Sequence, residues 1–156
     1  MKYLLNAALA VSILFYTACC PKYIPSNSGQ VTYISAGGDG TITLSAKGFA
    51  DGKQKNKAIT DAKDNAIKAL LFRGVPGSAL NTAMIGNENK ARSEHAAYLN
   101  NLIENGGYSK FITSETLTNY SPSKCYCSAE ILFTINYQAL KTDLLQNKVV
   151  PKYGIN

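Results

Sequence analysis

The sequence predicts an α+β domain: a small antiparallel or mixed sheet with helices packed on one face, in the order β-α-α-β-β-α. Three observations carry that reading. Residues 41–50 alternate apolar and polar side chains, residues 53–73 repeat apolar side chains at three- and four-residue steps, and residues 125–137 alternate again before a short amphipathic run. A strand with one apolar face and a helix with one apolar stripe must each bury that surface, and each offers the other a partner.

In the first strand Ile42, Leu44, Ala46 and Gly48 share a face, with Thr43, Ser45 and Lys47 on the other. Asp51-Gly52 breaks it and offers Asp51 as a helix cap. Lys53–Arg73 reads as the best helix, with Ile59, Ala62, Ala66, Ile67 and Leu70 in one stripe whose alanines allow close approach to a sheet. Gly74 is expected as its C-cap, and Pro76 prevents continuation. After a loop, Asn87 opens a second helix to Glu104, with Ala91, His95, Tyr98, Leu99 and Leu102 on one face. Ser109–Tyr120 is a threonine-rich strand, Ser121–Lys124 a turn, and Cys125–Tyr137 the clearest strand, the two forming an antiparallel hairpin. A last helix spans about Gln138–Asn147 with Leu140, Leu144 and Leu145 apolar, and Val149–Asn156 is a tail.

The first twenty residues have a different character. Lys2 precedes an apolar run from Leu4 to Tyr16, followed by small residues and a cysteine, the layout of a secretory signal. The run falls short of the ~20 residues that a membrane-spanning helix needs, and only Pro21, Lys22 and Pro25 follow it, so a cleaved leader is favoured. Tyr16-Thr17-Ala18-Cys19 resembles the lipobox of bacterial lipoproteins, with Tyr16 departing from the usual leucine. That resemblance implies that Cys19 becomes the first residue of the mature chain and carries covalent diacylglycerol and an N-acyl chain. Cys20 is a poorer acceptor. The resulting division is a signal peptide over 1–18, a lipidated N-terminus and flexible tether over 19–40, and one α+β domain over 41–156. The tether would reach about 65 Å at full extension, with Gln30–Ile34 pairing briefly as an edge strand. The Gly37-Gly38-Asp39-Gly40 cluster reads as a plain turn, since no Gly-Lys-Ser/Thr follows it.

The formal charge is +6, with the lysines scattered rather than blocked. Lys53, Lys55, Lys57, Lys63 and Lys68 gather on the first helix, interleaved with Asp61 and Asp64, as the solvated face of an amphipathic helix. An exported protein is not expected to bind nucleic acid, although the basic excess would allow charge-based contact with the cell wall. Residues i and i+2 of a strand share a face at about 6.5 Å, near the upper limit for a disulfide. Cys125 and Cys127 are therefore expected reduced and packed, with a bridge to Cys20 or to a partner protein as the alternative. One histidine and no four-ligand spacing argue against a metal site. Glu94, His95, Glu104, Glu115 and Glu130 are the acid–base candidates. Only Glu94 and His95 are adjacent, and helix neighbours point about 100° apart, so no catalytic residue, cofactor or small-molecule substrate is expected. Ten tyrosines suit protein contact, each pairing apolar area with a polar tip.

The string Ala58, Asp61-Ala62, Asn65-Ala66-Ile67 and Leu70, following a strand that ends in Lys47-Gly48, resembles a family of small envelope lipoproteins and the N-terminal domain of the flagellar assembly protein FlgT. Residues 70–78 (LLFRGVPGS) and 144–154 (LLQNKVVPKYG) are similar to a family of Bacteroidota lipoproteins, some from type VI secretion loci. The resemblance implies an assembly or anchoring component that binds envelope proteins. The expected location is the outer membrane, and the missing acidic run after Cys19 favours the periplasmic face. Phe72, Arg73, Gly74, Val75, Pro76, Gly77 and Ser78 read as a specialised helix end and connecting loop, with Arg73 favoured by the helix dipole, or as a loop that docks a partner. The alternative function is a lipoprotein that binds cell-wall material or a small ligand, with a hydrolytic enzyme behind it.

Overall fold

A computed structural model describes residues 29–150. The predicted leader over 1–18, the lipidation site Cys19 and the first part of the tether lie outside the described residues, as do residues 151–156. The elements are β1 (Val31–Ala36), β2 (Thr41–Asp51), α1 (Lys55–Phe72), α2 (Glu88–Glu94), α3 (Ala96–Leu99), a π turn (Asn100–Glu104), a 3-10 turn (Gly107–Phe111), β3 (Ile112–Pro122), β4 (Tyr126–Asn136) and α4 (Tyr137–Gln146). The strands form one four-stranded sheet in the order β1-β2-β4-β3, antiparallel throughout. The α+β class with helices on one face is therefore what the chain adopts.

The centre of the sheet is the β2–β4 pair, in unbroken register from Thr41↔Asn136 to Asp51↔Tyr126. Period-two alternation turns Ile42, Leu44 and Ala46 of β2, and Ile131, Phe133 and Ile135 of β4, to the same face, where all are buried. On them lies α1, which buries Ala58, Ala62, Ala66, Ile67, Ala69, Leu70 and Leu71. Each large side chain removed from water here contributes about 1.5–3 kcal/mol. Ile59, placed on the stripe by its spacing, is only half-buried, and Ala58 takes the inner position.

Where α1 crosses β2 the backbones nearly touch. A Cβ on Gly48 would sit 2.2 Å from the Ala62 nitrogen and 2.3 Å from the Ala58 carbonyl oxygen. The contact lets the Asp61 carboxylate reach β2, where its Oδ2 accepts the Phe49 N–H at 2.9 Å and the Asn65 side-chain amide at 3.1 Å. Pairing of β2 with the edge strand ends where the Lys47 N–H donates to the Gln30 carbonyl. The next amide on that edge, Phe49, is satisfied by the helix instead.

Several expectations change. Residues 31–36, assigned to the tether, form β1, an edge strand that extends the folded part past the brief pairing expected from Gln30 to Ile34. The turn into β2 is held by Asp39, which accepts the Thr41 N–H at 3.2 Å and its hydroxyl at 2.7 Å. Asp51 does not cap α1. It pairs with Tyr126 as the last residue of β2, and Gln54 stands at the N-cap without a side-chain hydrogen bond. The helix predicted from Asn87 to Glu104 does open on Asn87, which accepts the Lys90 N–H, but it breaks at His95 and continues as α3 and the π turn. The break and the π turn bring Leu99, Leu102 and Ile103 inward and leave His95 and Tyr98 half-buried. Tyr137 starts α4 rather than ending β4, because Asn136 accepts the Ala139 N–H as a cap. The expected tail begins as core: the Val149 N–H donates to the Leu144 carbonyl at 3.0 Å, and Val149 and Val150 are buried.

The close crossing yields a direct prediction. Gly48→Ala must push α1 off the sheet, because the obstructing atoms are backbone. Its cost should reach about 3 kcal/mol, the upper part of the range for overpacked cores, read as a lower urea midpoint.

Candidate functional site

The segment from Phe72 to Ser78 buries Gly74 and Val75 and half-buries Phe72 and Ser78. The Arg73 and Gly74 amides both donate to the Ala69 carbonyl, at 3.0 and 2.8 Å, closing α1 as the glycine predicted. Gly74 holds φ +76°, and a Cβ there would lie 2.3 Å from the Asn81 carbonyl oxygen, so only glycine fits. Val75 is buried and its N–H donates to the Leu80 carbonyl, while the Ser78 hydroxyl donates to the Val75 carbonyl at 2.7 Å and accepts the Leu80 N–H at 3.0 Å. Phe72 lies under the Arg92 guanidinium, 5.4 Å from the ring centroid. Arg73 reaches back to the Asn65 carbonyl at 3.2 Å. Arg73, Pro76 and Gly77 are the exposed residues of this loop.

The acid–base candidates sit on different elements. Glu115 of β3 pairs with Lys63 of α1, Glu104 stands 4.0 Å from Lys68, and Glu94 stands 3.9 Å from Lys90. Glu130 accepts the Ser45 hydroxyl at 3.0 Å on the uncovered side of the sheet. Half-buried His95 lies at the break between α2 and α3. Among the described residues no group of three or more His, Cys, Asp and Glu is placed to hold a metal ion.

Two tyrosine–aspartate pairs stand out that the sequence reading missed. The Tyr98 hydroxyl donates to Asp143 at 2.6 Å and Lys110 donates to the same carboxylate at 2.9 Å, while the Tyr108 hydroxyl donates to Asp64 at 2.7 Å. Burial first, and then the carboxylate partner, pushes both phenols far above the ordinary tyrosine value, so they stay donors at any physiological pH. Burial raises the Asp64 carboxyl, with the Tyr108 hydrogen bond opposing it. For Asp143 burial also acts upward, but Tyr98 and Lys110 outweigh it and hold the carboxyl below its ordinary value. The partners are 44 and 45 residues apart, beyond the reach of any periodicity.

The sheet face away from α1 is lined by hydroxyls and a few rings. The Thr43 and Thr134 hydroxyls meet at 3.0 Å, Lys47 lies over the Phe49 ring at 5.6 Å, and Phe49 stands 6.4 Å from Tyr126. Leu132, the exception in the alternation of β4, is half-buried on this face. Ile34, at a register shift of β1, is 50% exposed.

The cysteines depart from expectation. Cys127 is free and buried, packed with Ala58 and Ala129, but Cys125 is disulfide-bonded. Cys125 precedes β4 instead of lying in it, and its carbonyl accepts the Gly52 N–H at 2.9 Å. It thus sits at the end of the sheet, half-exposed, while Cys127 alone of the two takes a core position.

No family model matches the chain, and no curated protein or solved structure matches it.

The Asp143 site makes stability pH-dependent. A carboxyl lowered in the fold contributes stability above its unfolded value near 3.8, which is lost as pH falls through the folded value. Asp143→Asn should therefore lower stability at neutral pH and flatten its decline below about pH 4, measured by urea melts across that range.

Proposed function

We propose that this protein is a lipid-anchored lipoprotein of the cell envelope, acylated on Cys19, and that its α+β domain is a non-enzymatic component that binds other envelope proteins. The observation that carries the proposal is the apolar leader ending in Tyr16-Thr17-Ala18-Cys19. A single acyl chain gives only reversible binding, whereas the several chains of a bacterial lipoprotein make a lasting anchor. Among the described residues no helix is long and apolar enough to cross a membrane. The anchor proposed is the lipid. The expected site is the outer membrane, facing the periplasm.

Protein binding is supported by surface chemistry. Phe49, Tyr126 and Leu132 lie among threonine and serine hydroxyls on a sheet face that no described helix covers. Aromatic rings within a polar surround characterise protein contact surfaces. The resemblance of residues 70–78 and 144–154 to lipoproteins from type VI secretion loci makes proteins of that apparatus the first partners to test.

Metabolic labelling with a fatty-acid analogue should mark the wild type and not Cys19→Ser, and the variant should leave the membrane fraction. Equal labelling of both would contradict acylation at Cys19. Affinity purification of the acylated protein from detergent extracts should recover envelope proteins at stoichiometric levels, and recovery of the lipoprotein alone would contradict the assembly role.

A further inference from the structure

We propose that the open face of the sheet carries a small binding site for a zwitterionic α-amino acid, its two charges met by Lys47 and Glu130. The inference goes beyond the protein-contact reading of that face and does not rest on acylation of Cys19.

Lys47 of β2 and Glu130 of β4 stand directly opposite each other in the register. Opposite charges at such positions ordinarily pair, since facing Cβ atoms lie about 5 Å apart. These two do not: the ion pairs among the described residues include neither of them. Each head group is held elsewhere. The Lys47 ammonium leans along β2 to the Phe49 ring, 5.6 Å from its centroid, and the Glu130 carboxylate accepts the Ser45 hydroxyl at 3.0 Å. Phe49 and Ser45 flank Lys47 on the same strand face, one on either side. The two charges, both on half-buried residues, are therefore drawn apart in opposite directions along the sheet.

Between them lies a notch of about 120 Å³, lined by Gln30, Thr32, Ser45, Lys47 and Glu130. β1 builds its outer wall. Thr32 faces Ser45 across the β1–β2 register, and the Gln30 carbonyl accepts the Lys47 N–H where that pairing ends. A water molecule takes up about 30 Å³ of the liquid. The notch therefore has room for the ammonium, α-carbon and carboxylate of one amino acid and little more.

The charges select the ligand. A half-buried charge without a counter-ion is costly, yet a lone anion that reached Lys47 would also face Glu130, and a lone cation meets the reverse. A zwitterion answers both, with its carboxylate on the Lys47 ammonium and its own ammonium on the Glu130 carboxylate. The Thr32 hydroxyl and the Gln30 amide, each donor and acceptor, serve the remaining hydrogen bonds. A protein surface presents its ammonium and carboxylate groups on separate long side chains, which a notch of this size does not admit together.

The test is a titration of glycine into the isotope-labelled full chain in detergent, read by backbone amide resonances. The expected result is saturable shifts centred on Thr32, Ser45, Lys47 and Glu130, with a Kd of about 1 mM, a range open to so small a ligand. Acetate and methylammonium, which each carry one of the two charges, should bind about tenfold more weakly or worse. Lys47→Met and Glu130→Gln should each weaken glycine binding by about tenfold or more while leaving the core resonances in place. Acetate matching glycine would overturn the zwitterion site and show an anion site instead. Shifts centred away from the notch, or none at concentrations far above the expected Kd, would overturn the site altogether. The three probes on the wild type decide between these outcomes even if a variant fails to fold, and none of the outcomes bears on the labelling of Cys19.

Discussion

The fold depends on how closely α1 can lie on β2. Gly48 carries no side chain at the crossing, and Ala58 and Ala62 present the smallest ones that a helix readily accepts. A backbone-to-backbone contact of this kind has little slack, because packed interiors lack the free volume to absorb an added methyl group. The same closeness lets Asp61 satisfy the Phe49 amide after the edge strand has stopped pairing. A steric gap and a hydrogen bond thus fix one helix at one position along one strand. The apolar faces of β2 and β4 then find α1 in register above them, and the remaining helices fill the flanks.

That arrangement explains which parts of the fold were legible in the sequence. β2, β4 and α1 announce themselves because each buries one face, and burial imposes a period on side-chain chemistry. The Ala58, Asp61, Ala62 and Asn65 string was visible as a pattern, but its link to Phe49 was not, since a hydrogen bond to a backbone amide leaves no mark at the receiving position. β1 was legible only as a brief edge pairing from Gln30 to Ile34 within a tether: it half-buries Val31 and Tyr33 and pairs through backbone groups any residue carries. The break at His95 was hidden because apolar spacing continues through it and only the path of the backbone changes. Val149 and Val150 were read as tail because two apolar residues define no period.

The functional features divide in a similar way. The proposed leader and the acylation proposed at Cys19 rest on composition and order alone, since export and acylation read a linear segment. The loop over 72–78 was located by its glycines and proline, yet its inward packing depends on Leu80, Asn81 and Arg92, which come later in the chain. The Tyr98–Asp143–Lys110 cluster joins three separate elements and has no local signature. Cys125 was placed on the same strand face as Cys127. In the fold it stands one residue before β4, a one-residue boundary that separates a bridged sulfur from a buried thiol. The domain then has a covered face, an open hydroxyl-rich face, and one end that carries both the lysines and the bonded cysteine.

Native-state hydrogen exchange tests the central claim most directly, because it ranks the elements by the free energy needed to open them. If the α1–β2 crossing organises the fold, the amides of α1 from Ala62 to Leu70 and those of the β2–β4 ladder should exchange together, at the rate set by global unfolding. Amides of β1 and of α2 should exchange earlier. Exchange of α1 before the β2–β4 ladder would show that the sheet stands without the helix, and would contradict the account.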